Sequence, residues 1–228
     1  MEILYSGKTK VLWQDHHTGK CYLEFTDHAT GDAQGFDPGA NQVIGKIEGI
    51  GSRSLRVSKY FFELLESQGI PTHYVHADNS TNTMEVKKAV LIPLEWVGRF
   101  QTAGSACKTY GVKQGLHLEP MAMETMLKSD SLEDPRINRS MSVGLGFISD
   151  TVYGDCLEWT HKIGLSLRSS LQLFGLELID YKIEFGYDEQ GHVMLIDEIS
   201  AAVWRVAYHG QLISSDESMR IVLNGLAC

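Results

Sequence analysis

Tyr181–Ser200 reads YKIEFGYDEQGHVMLIDEIS. Its punctuation is that of a β-hairpin, with DEQG as turn chemistry between two strand-forming runs. Side chains alternate faces along a strand. From Leu178 to Phe185, Asp180, Lys182 and Glu184 therefore share one face, while Ile179, Tyr181, Ile183 and Phe185 share the other and pack on a core. In the returning strand Val193, Leu195 and Asp197 share a face, and Met194, Ile196 and Glu198 take the opposite one. By this parity Asp197 and Glu198 do not serve the same site; one of them joins Glu184, and sequence leaves open which. Two carboxylates on paired strands suit magnesium, a hard cation that takes one or two carboxylates plus nucleotide phosphates. The same alternation also fits a half-exposed sheet with a solvated polar face.

Two other stretches carry cationic chemistry. SGKTK places Lys8 and Lys10 beside Gly7 in a strand–turn element, where ammonium groups and a close backbone approach suit phosphate. It is neither GxxxxGK[ST] nor GxGxxG, and an exposed basic edge strand reads the same way. GRFQTAGSACKTYG sets Arg99 and Ser105 around a small-residue turn with Lys108 nearby, a receptor for phosphate or carboxylate. The nine histidines are dispersed without triad or metal spacing and receive no role.

Outward from these, SRSLRVSKYFFELLESQGIP has Val57, Phe61, Leu64 and Leu65 at helical spacing, with Ser52 or Ser54 as cap and Gly69 and Pro71 as stop. A short helix is expected near Met121–Leu127. A longer one begins after Ser149 or Asp150, striped by Cys156, Trp159, Ile163, Leu167 and Leu171 and ended by Gly175. Residues 27–51 are glycine-rich and read as a long loop, a mobile substrate segment by expectation. Strands flank the first helix, and the tail forms a small terminal element. The order gives an α+β fold with antiparallel sheets rather than βαβ alternation. The expected division is a β-rich lobe at 1–94 and an α+β lobe at 95–228, with the boundary around Leu94 to Arg99.

The bulk properties frame this. At 228 residues the chain builds one large domain or two small lobes. A net charge of −9 excludes a general nucleic-acid binder, though a local basic cluster still receives a small anion. The four cysteines have no zinc spacing and read as free thiols. The start lacks a signal-peptide apolar region, and no apolar run spans a bilayer; a cytoplasmic protein without membrane or nucleic-acid partners is the expectation.

Together LYSGKTK, GFDPGANQ, SKYFFELLESQGIPTHYV, RFQTAGS, LKSDSLEDPRIN, LELIDYKIEFG, LIDEIS and WRVAY occur in an order that resembles the SAICAR synthetase family, in its compact bacterial form. The resemblance implies a two-lobed ATP-binding fold related to protein kinase and ATP-grasp architectures. It implies ligation of CAIR and L-aspartate to SAICAR with ATP and Mg2+, through an acyl phosphate. By resemblance Lys8, Lys10 and Lys87 lie at the ATP phosphates, and Leu91 to Leu94 line adenine. Glu184 and Asp197 hold the metal at the nucleotide. Lys182 and Asp180 are the catalytic candidates, Lys182 lying beside the reacting groups. Arg99, Ser105 and Arg205 bind the ribonucleotide, and a homodimer is the family expectation. The chain departs from the family pattern at Gln101, where a second arginine is usual, and at Ala201 and Ala202. These departures keep in view an amide ligase for another carboxylate and amine pair; the other alternative, an inactive nucleotide-binding module, predicts loss of residues such as Lys8, Lys10, Glu184 and Asp197, all of which are present.

Overall fold

The structure, a computed structural model, describes residues 1–32, 35–36 and 42–227. It opens with β1 (Glu2–Ser6), β2 (Lys10–Gln14), β3 (Cys21–Phe25), β4 (His28–Asp32), β5 (Gly35–Phe36) and β6 (Gln42–Lys46). Helix α1 (Ile50–Ser67) follows, then β7 (Tyr74–Asp78), β8 (Thr83–Val86) and β9 (Val90–Gln101). After α2 (Ser105–Tyr110) and β10 (His117–Leu127), a 3-10 turn precedes α3 (Arg139–Gly144) and α4 (Asp150–Leu173). Strands β11 (Leu176–Tyr187), β12 (Val193–Ile196), β13 (Trp204–Tyr208) and β14 (Gln211–Leu212) lead to α5 (Ser215–Leu226).

These form a five-stranded sheet β1-β2-β3-β8-β7, a sheet ordered β10-β9-β11-β13-β14 with β12 also on β11, and a small sheet β5-β4-β6. All pairings between these strands are antiparallel, so the α+β expectation is met. Leu94 to Arg99, around which the lobe boundary is expected, lie inside β9, between β10 and β11.

The second sheet has two chemically distinct faces. Trp96, Tyr181, Ile183, Phe185 and Trp204 are buried on one, and α4 packs there through Cys156, Ile163, Leu167 and Leu171, the stripe seen in the sequence. Trp159 is only partly buried at the edge of this core. Each such side chain removed from water contributes about 1.5–3 kcal/mol. Ser149 caps α4 by accepting from the amide of Val152, as expected, and Gly175 turns the chain with φ +75°. The Tyr181 hydroxyl donates to the carbonyl of Thr160 in α4. The ring fits because Gly98 and Gly164 have no side chains; a Cβ on either would overlap it.

Three expectations are corrected. Met121–Leu127 is strand, not helix: it belongs to β10, paired with β9 from Ala122↔Arg99 to Leu127↔Leu94. Sheet pairing overrides the local methionine-rich helix preference. The segment 27–51 is not a plain loop: β4, β5 and β6 form a sheet, and its glycines hide the alternation. The parts of that expectation, and of GFDPGANQ, at 33–34 and 37–41 lie outside the described residues. Helix α1 starts earlier than Ser52 or Ser54, with Gly49 at its N-cap. Its first amides are taken by Asp27, which accepts from Gly49 at 3.1 Å and Gly51 at 3.0 Å.

Because Tyr181 fills the space of two absent side chains, Gly164→Ala is expected to destabilise the fold by about 1–3 kcal/mol through overpacking. Urea unfolding checks this; a midpoint equal to wild type would refute the packing constraint.

Candidate active site

The other face of the same sheet carries the charge. Across β9 and β11, Asp180 lies opposite Arg99, Lys182 opposite Val97, and Glu184 opposite Glu95. Across β13, Asp180 lies opposite Arg205. Glu124, opposite Val97, joins this face from β10, and Lys128 follows just beyond that strand. Asp180 and Glu184 are 3% and 8% exposed, so this is no solvated polar face. The register separates two clusters along β11 by about 13 Å, four residues of strand rise.

The first cluster answers a like-charge problem. Glu95 and Glu184 face each other directly, which is destabilising unless cations intervene. Lys128 Nζ lies 2.7 Å from Glu184 and 3.5 Å from Glu95, and Lys182 Nζ lies 2.8 Å from Glu95. Lys10, at the start of β2 in the other large sheet, reaches Asp197 at 2.8 Å and also bonds Glu198. Lys8 crosses the same gap to Asp130 at 2.9 Å. Exposed Lys87 is tied to the carbonyl of Thr72 at 2.9 Å. The neighbouring His73 is 3.0 Å from the carbonyl of Asp197.

Asp197 and Glu198 thus meet one ammonium, which corrects the parity expectation. Asp197 has left β12 and takes φ +71°, so strict strand alternation ends there. The left-handed residue turns two consecutive carboxylates toward one cation.

The second cluster is a carboxylate–guanidinium network. Arg99 donates to Asp180 at 2.6 Å, to Glu124 at 2.6 Å and to Ser105 Oγ at 3.2 Å. Arg205 donates to Asp180 at 2.9 Å. Arg136 and the Tyr110 hydroxyl both donate to the remaining oxygen of Glu124, at 2.7 and 2.6 Å. Gln101 turns away, its amide donating to Glu177 at 2.5 Å. Lys108 sits on α2 beyond Ser105.

The structure therefore gathers Lys10, Lys182, Glu184 and Asp197 in one cluster and Arg99, Ser105, Asp180 and Arg205 in the other. Lys8 and Lys87 lie at the margin of the first. Glu95, Glu124 and Lys128 were missed as members of these clusters, and Glu198, left open against Asp197 in the sequence, joins the first beside it. Glu95 and Glu124 sit inside apolar strand runs, and that buried-charge pattern is the signal that could have found them.

Electrostatics follow from burial. Burial works against the charged forms of Lys10 and Lys128, yet the carboxylates of Asp197 and Glu198 and of Glu184 and Glu95 outweigh it and raise both lysines. Burial, with Asp197 and Glu95 close by, raises Glu184; Asp197 is also buried, but the Lys10 ammonium holds it below the usual carboxylate range. Glu124 is likewise lowered against its burial, by Arg136, Tyr110 and Arg99. Among the described residues no three histidine, cysteine or acidic groups form a ready metal cage. Glu184 and Asp197 are nevertheless hard oxygen donors already held by cations, a donor set that fits magnesium shared with phosphates.

Burial lowers His73 from 6.5 to about 4. A folded-state pKa below the unfolded one gives stability that is complete above pH 6.5 and lost as pH falls toward 4. His73→Gln is expected to flatten that part of the stability–pH profile, read by denaturant unfolding at stepped pH; an unchanged slope would remove His73 from the account. Asp180 is a buried carboxylate shared by Arg99 and Arg205, so Asp180→Ala should cost about 3 kcal/mol, and a loss under about 1 kcal/mol would contradict the network.

The family model described as SAICAR synthetase matches residues 3–219. A phosphoribosylaminoimidazole-succinocarboxamide synthase of Clostridium tetani is 37% identical over 230 residues, covering 98% of this chain and 100% of that protein. The synthase of Finegoldia magna is 35% identical over 206 residues, covering 90% and 85%. The crystal structure of the Ehrlichia chaffeensis synthase superposes with a TM-score of 0.90 at 25% identity, covering 99% of this chain and 98% of that one. A SAICAR synthetase in complex with ADP superposes at 0.87 with 29% identity, covering 99% and 97%. With a family model spanning nearly the whole length and relatives matched over most of both chains, the chain belongs to the SAICAR synthetase family.

Proposed function

We propose that this protein joins CAIR and L-aspartate into SAICAR, converting ATP to ADP and phosphate, in purine biosynthesis. The observation that carries the reading is the charged face on which lysine-held Glu184 and Asp197 stand beside the Asp180–arginine network. Acyl activation needs these two environments as neighbours: one for a polyphosphate and one for an anionic acceptor.

The CAIR carboxylate attacks the γ-phosphorus of ATP, and ADP leaves. The aspartate amine then attacks the acyl phosphate; a C–N bond forms and phosphate departs. Lys8, Lys10 and Lys87 receive the ATP phosphates, and Leu91 to Leu94 flank adenine. Glu184 and Asp197 hold magnesium, which neutralises phosphate charge when bound. Lys182 faces the reacting oxygens from its place beside Glu95. Arg99, Ser105 and Arg205 receive the acceptor's phosphate, and Asp180 acts through the two guanidiniums it orients. The lysines that neutralise these carboxylates are also the groups that suit phosphate oxygens.

The division into a nucleotide lobe at 1–94 and a substrate lobe at 95–228 belongs to this proposal. Lys8 and Lys10 bridge it to Asp130 and Asp197, which supports a cleft between the two large sheets. A cytoplasmic setting is proposed with it, in keeping with the free thiols Cys21, Cys107 and Cys156. So is a homodimer, for which exposed Ile3, Leu4 and Tyr5 on edge strand β1 provide apolar surface. No helix among the described residues is long and apolar enough to cross a membrane.

A second reading is a ligase for another carboxylate and amine. It rests on Gln101, which Glu177 engages at a position where the resemblance expects an arginine. A substrate panel separates the two: ADP release is expected only with CAIR and L-aspartate together. Release with a different amine and none with aspartate would favour the second, and no release with any pair would favour an inactive module. Glu184→Gln and Asp197→Asn are each expected to lower turnover by about two orders of magnitude or more with an unchanged circular dichroism spectrum; full activity in both would overturn the metal assignment.

A further inference from the structure

We propose that Glu124 is a positioning residue for acceptor binding: its single carboxylate fixes both Arg99 and the turn that carries Ser105. The inference rests on the ligase reading, in which Arg99 and Ser105 receive the acceptor's phosphate, and adds what holds those two groups in place.

Glu124 lies on β10 opposite Val97, and its side chain is 11% exposed. Three donors from three separate segments converge on it. Oε2 accepts from Arg99 Nε on β9 at 2.6 Å. Oε1 accepts from Arg136 Nε at 2.7 Å and from the Tyr110 hydroxyl, at the end of α2, at 2.6 Å. Against burial, Arg136, Tyr110 and Arg99 hold its carboxyl below the usual carboxylate range, so it accepts as an anion. Charge-assisted bonds of this kind are shorter and stronger than neutral ones.

These bonds close a ring. From Glu124 it runs through Arg99 Nη2 to Ser105 Oγ at 3.2 Å, along α2 to Tyr110, and back to Glu124. Arg136 doubles the return path. Its Nη1 donates to Thr109 Oγ1 at 2.6 Å, and its guanidinium lies over the Tyr110 ring, 5.1 Å from the centroid. Arg205 is seated against the same turn, since a Cβ on Gly104 would come within 2.8 Å of its guanidinium. Asp180 joins Arg99 to Arg205, whereas Glu124 joins Arg99 to the far end of α2. A helix of six residues has little stability of its own, so ties at its far end bear on where Ser105 stands.

An arginine fork has five N–H groups. Glu124, Ser105 and Asp180 take one from each nitrogen of Arg99, which leaves one on each terminal nitrogen in a fixed direction. A guanidinium locked in this way loses little freedom when an anion arrives, and that preorganisation is expressed as affinity.

Steady-state kinetics of full-length wild-type, Glu124→Gln and Tyr110→Phe proteins separates positioning from general support of the fold. Glu124→Gln keeps the shape but removes the charge and one acceptor oxygen. Its KM for CAIR is expected to rise about tenfold, while KM for ATP stays within about twofold and kcat within about threefold. Tyr110→Phe removes one tie from an exposed ring, and KM for CAIR is expected to rise about threefold with the same selectivity. A second readout takes the phosphate off the acceptor. The ratio of kcat/KM for CAIR to that for its dephosphorylated ribonucleoside is expected to fall about fivefold in Glu124→Gln, a change that a merely structural role would not produce. An unchanged KM for CAIR in folded Glu124→Gln, or equal rises for CAIR and ATP, overturns the positioning role. If Glu124→Gln does not fold, an unchanged KM for CAIR in Tyr110→Phe overturns it. A wild-type chain that does not distinguish CAIR from the ribonucleoside counts instead against the phosphate receptor, and one that releases no ADP with CAIR and aspartate counts against the ligase reading.

Discussion

Glu95 and Glu184 confront each other across neighbouring strands in a region with little water. Two carboxylates in that geometry cannot both stay ionised without cations, and the surrounding structure supplies them. Lys128 comes from the end of β10 and Lys182 from β11, while Lys10 serves the adjoining Asp197 and Glu198 from the other large sheet. The demand for positive charge thus ties three segments together. Buried ion pairs of this kind are weak contributors to net stability, because desolvation offsets their attraction. Their value lies in holding charged groups in fixed positions where little solvent reaches them.

The same sheet solves the problem of rigidity. Its apolar face is anchored to α4 by Tyr181, which threads between two glycines to reach the Thr160 carbonyl. Because β11 is the central strand, fixing Tyr181 on one face fixes Asp180 and Lys182 on the other. Core packing thereby sets the positions of the charged groups to the tolerance of a strand. Asp180 extends that order sideways to β9 and β13 through Arg99 and Arg205. Glu124 continues it to Arg136 and Tyr110.

The region after β12 shows how a local backbone exception gains function. Asp197 adopts a left-handed conformation, uncommon for a residue with a side chain but tolerated by aspartate. That single turn lets Asp197 and Glu198 meet the same lysine. Glu198 then also borders a cavity under the start of α5, so one dipeptide connects the lysine cluster to a small, largely apolar chamber. The three-stranded sheet formed within 27–51 supplies another part of that chamber's wall.

Much of this was legible in the residues. The hairpin, the alternation that puts Asp180, Lys182 and Glu184 on one face, the stripe and cap of α4, and the family order of motifs all depend on local spacing, which sequence records directly. The chain could not by itself reveal what depends on register and on contacts between distant segments. Glu95 became a site residue because β9 pairs with β11 in one particular alignment, and Lys128 because β10 ends beside it. Met121–Leu127 became strand because β9 offered a pairing edge that its own composition does not announce. Asp197 and Glu198 escaped the parity rule because a backbone angle, not a side-chain pattern, ended the strand. Periodicity is a property of neighbours along the chain; charge compensation arises between groups from 56 residues apart, as in Lys128 and Glu184, to 187 apart, as in Lys10 and Asp197, and only the packed structure decides it.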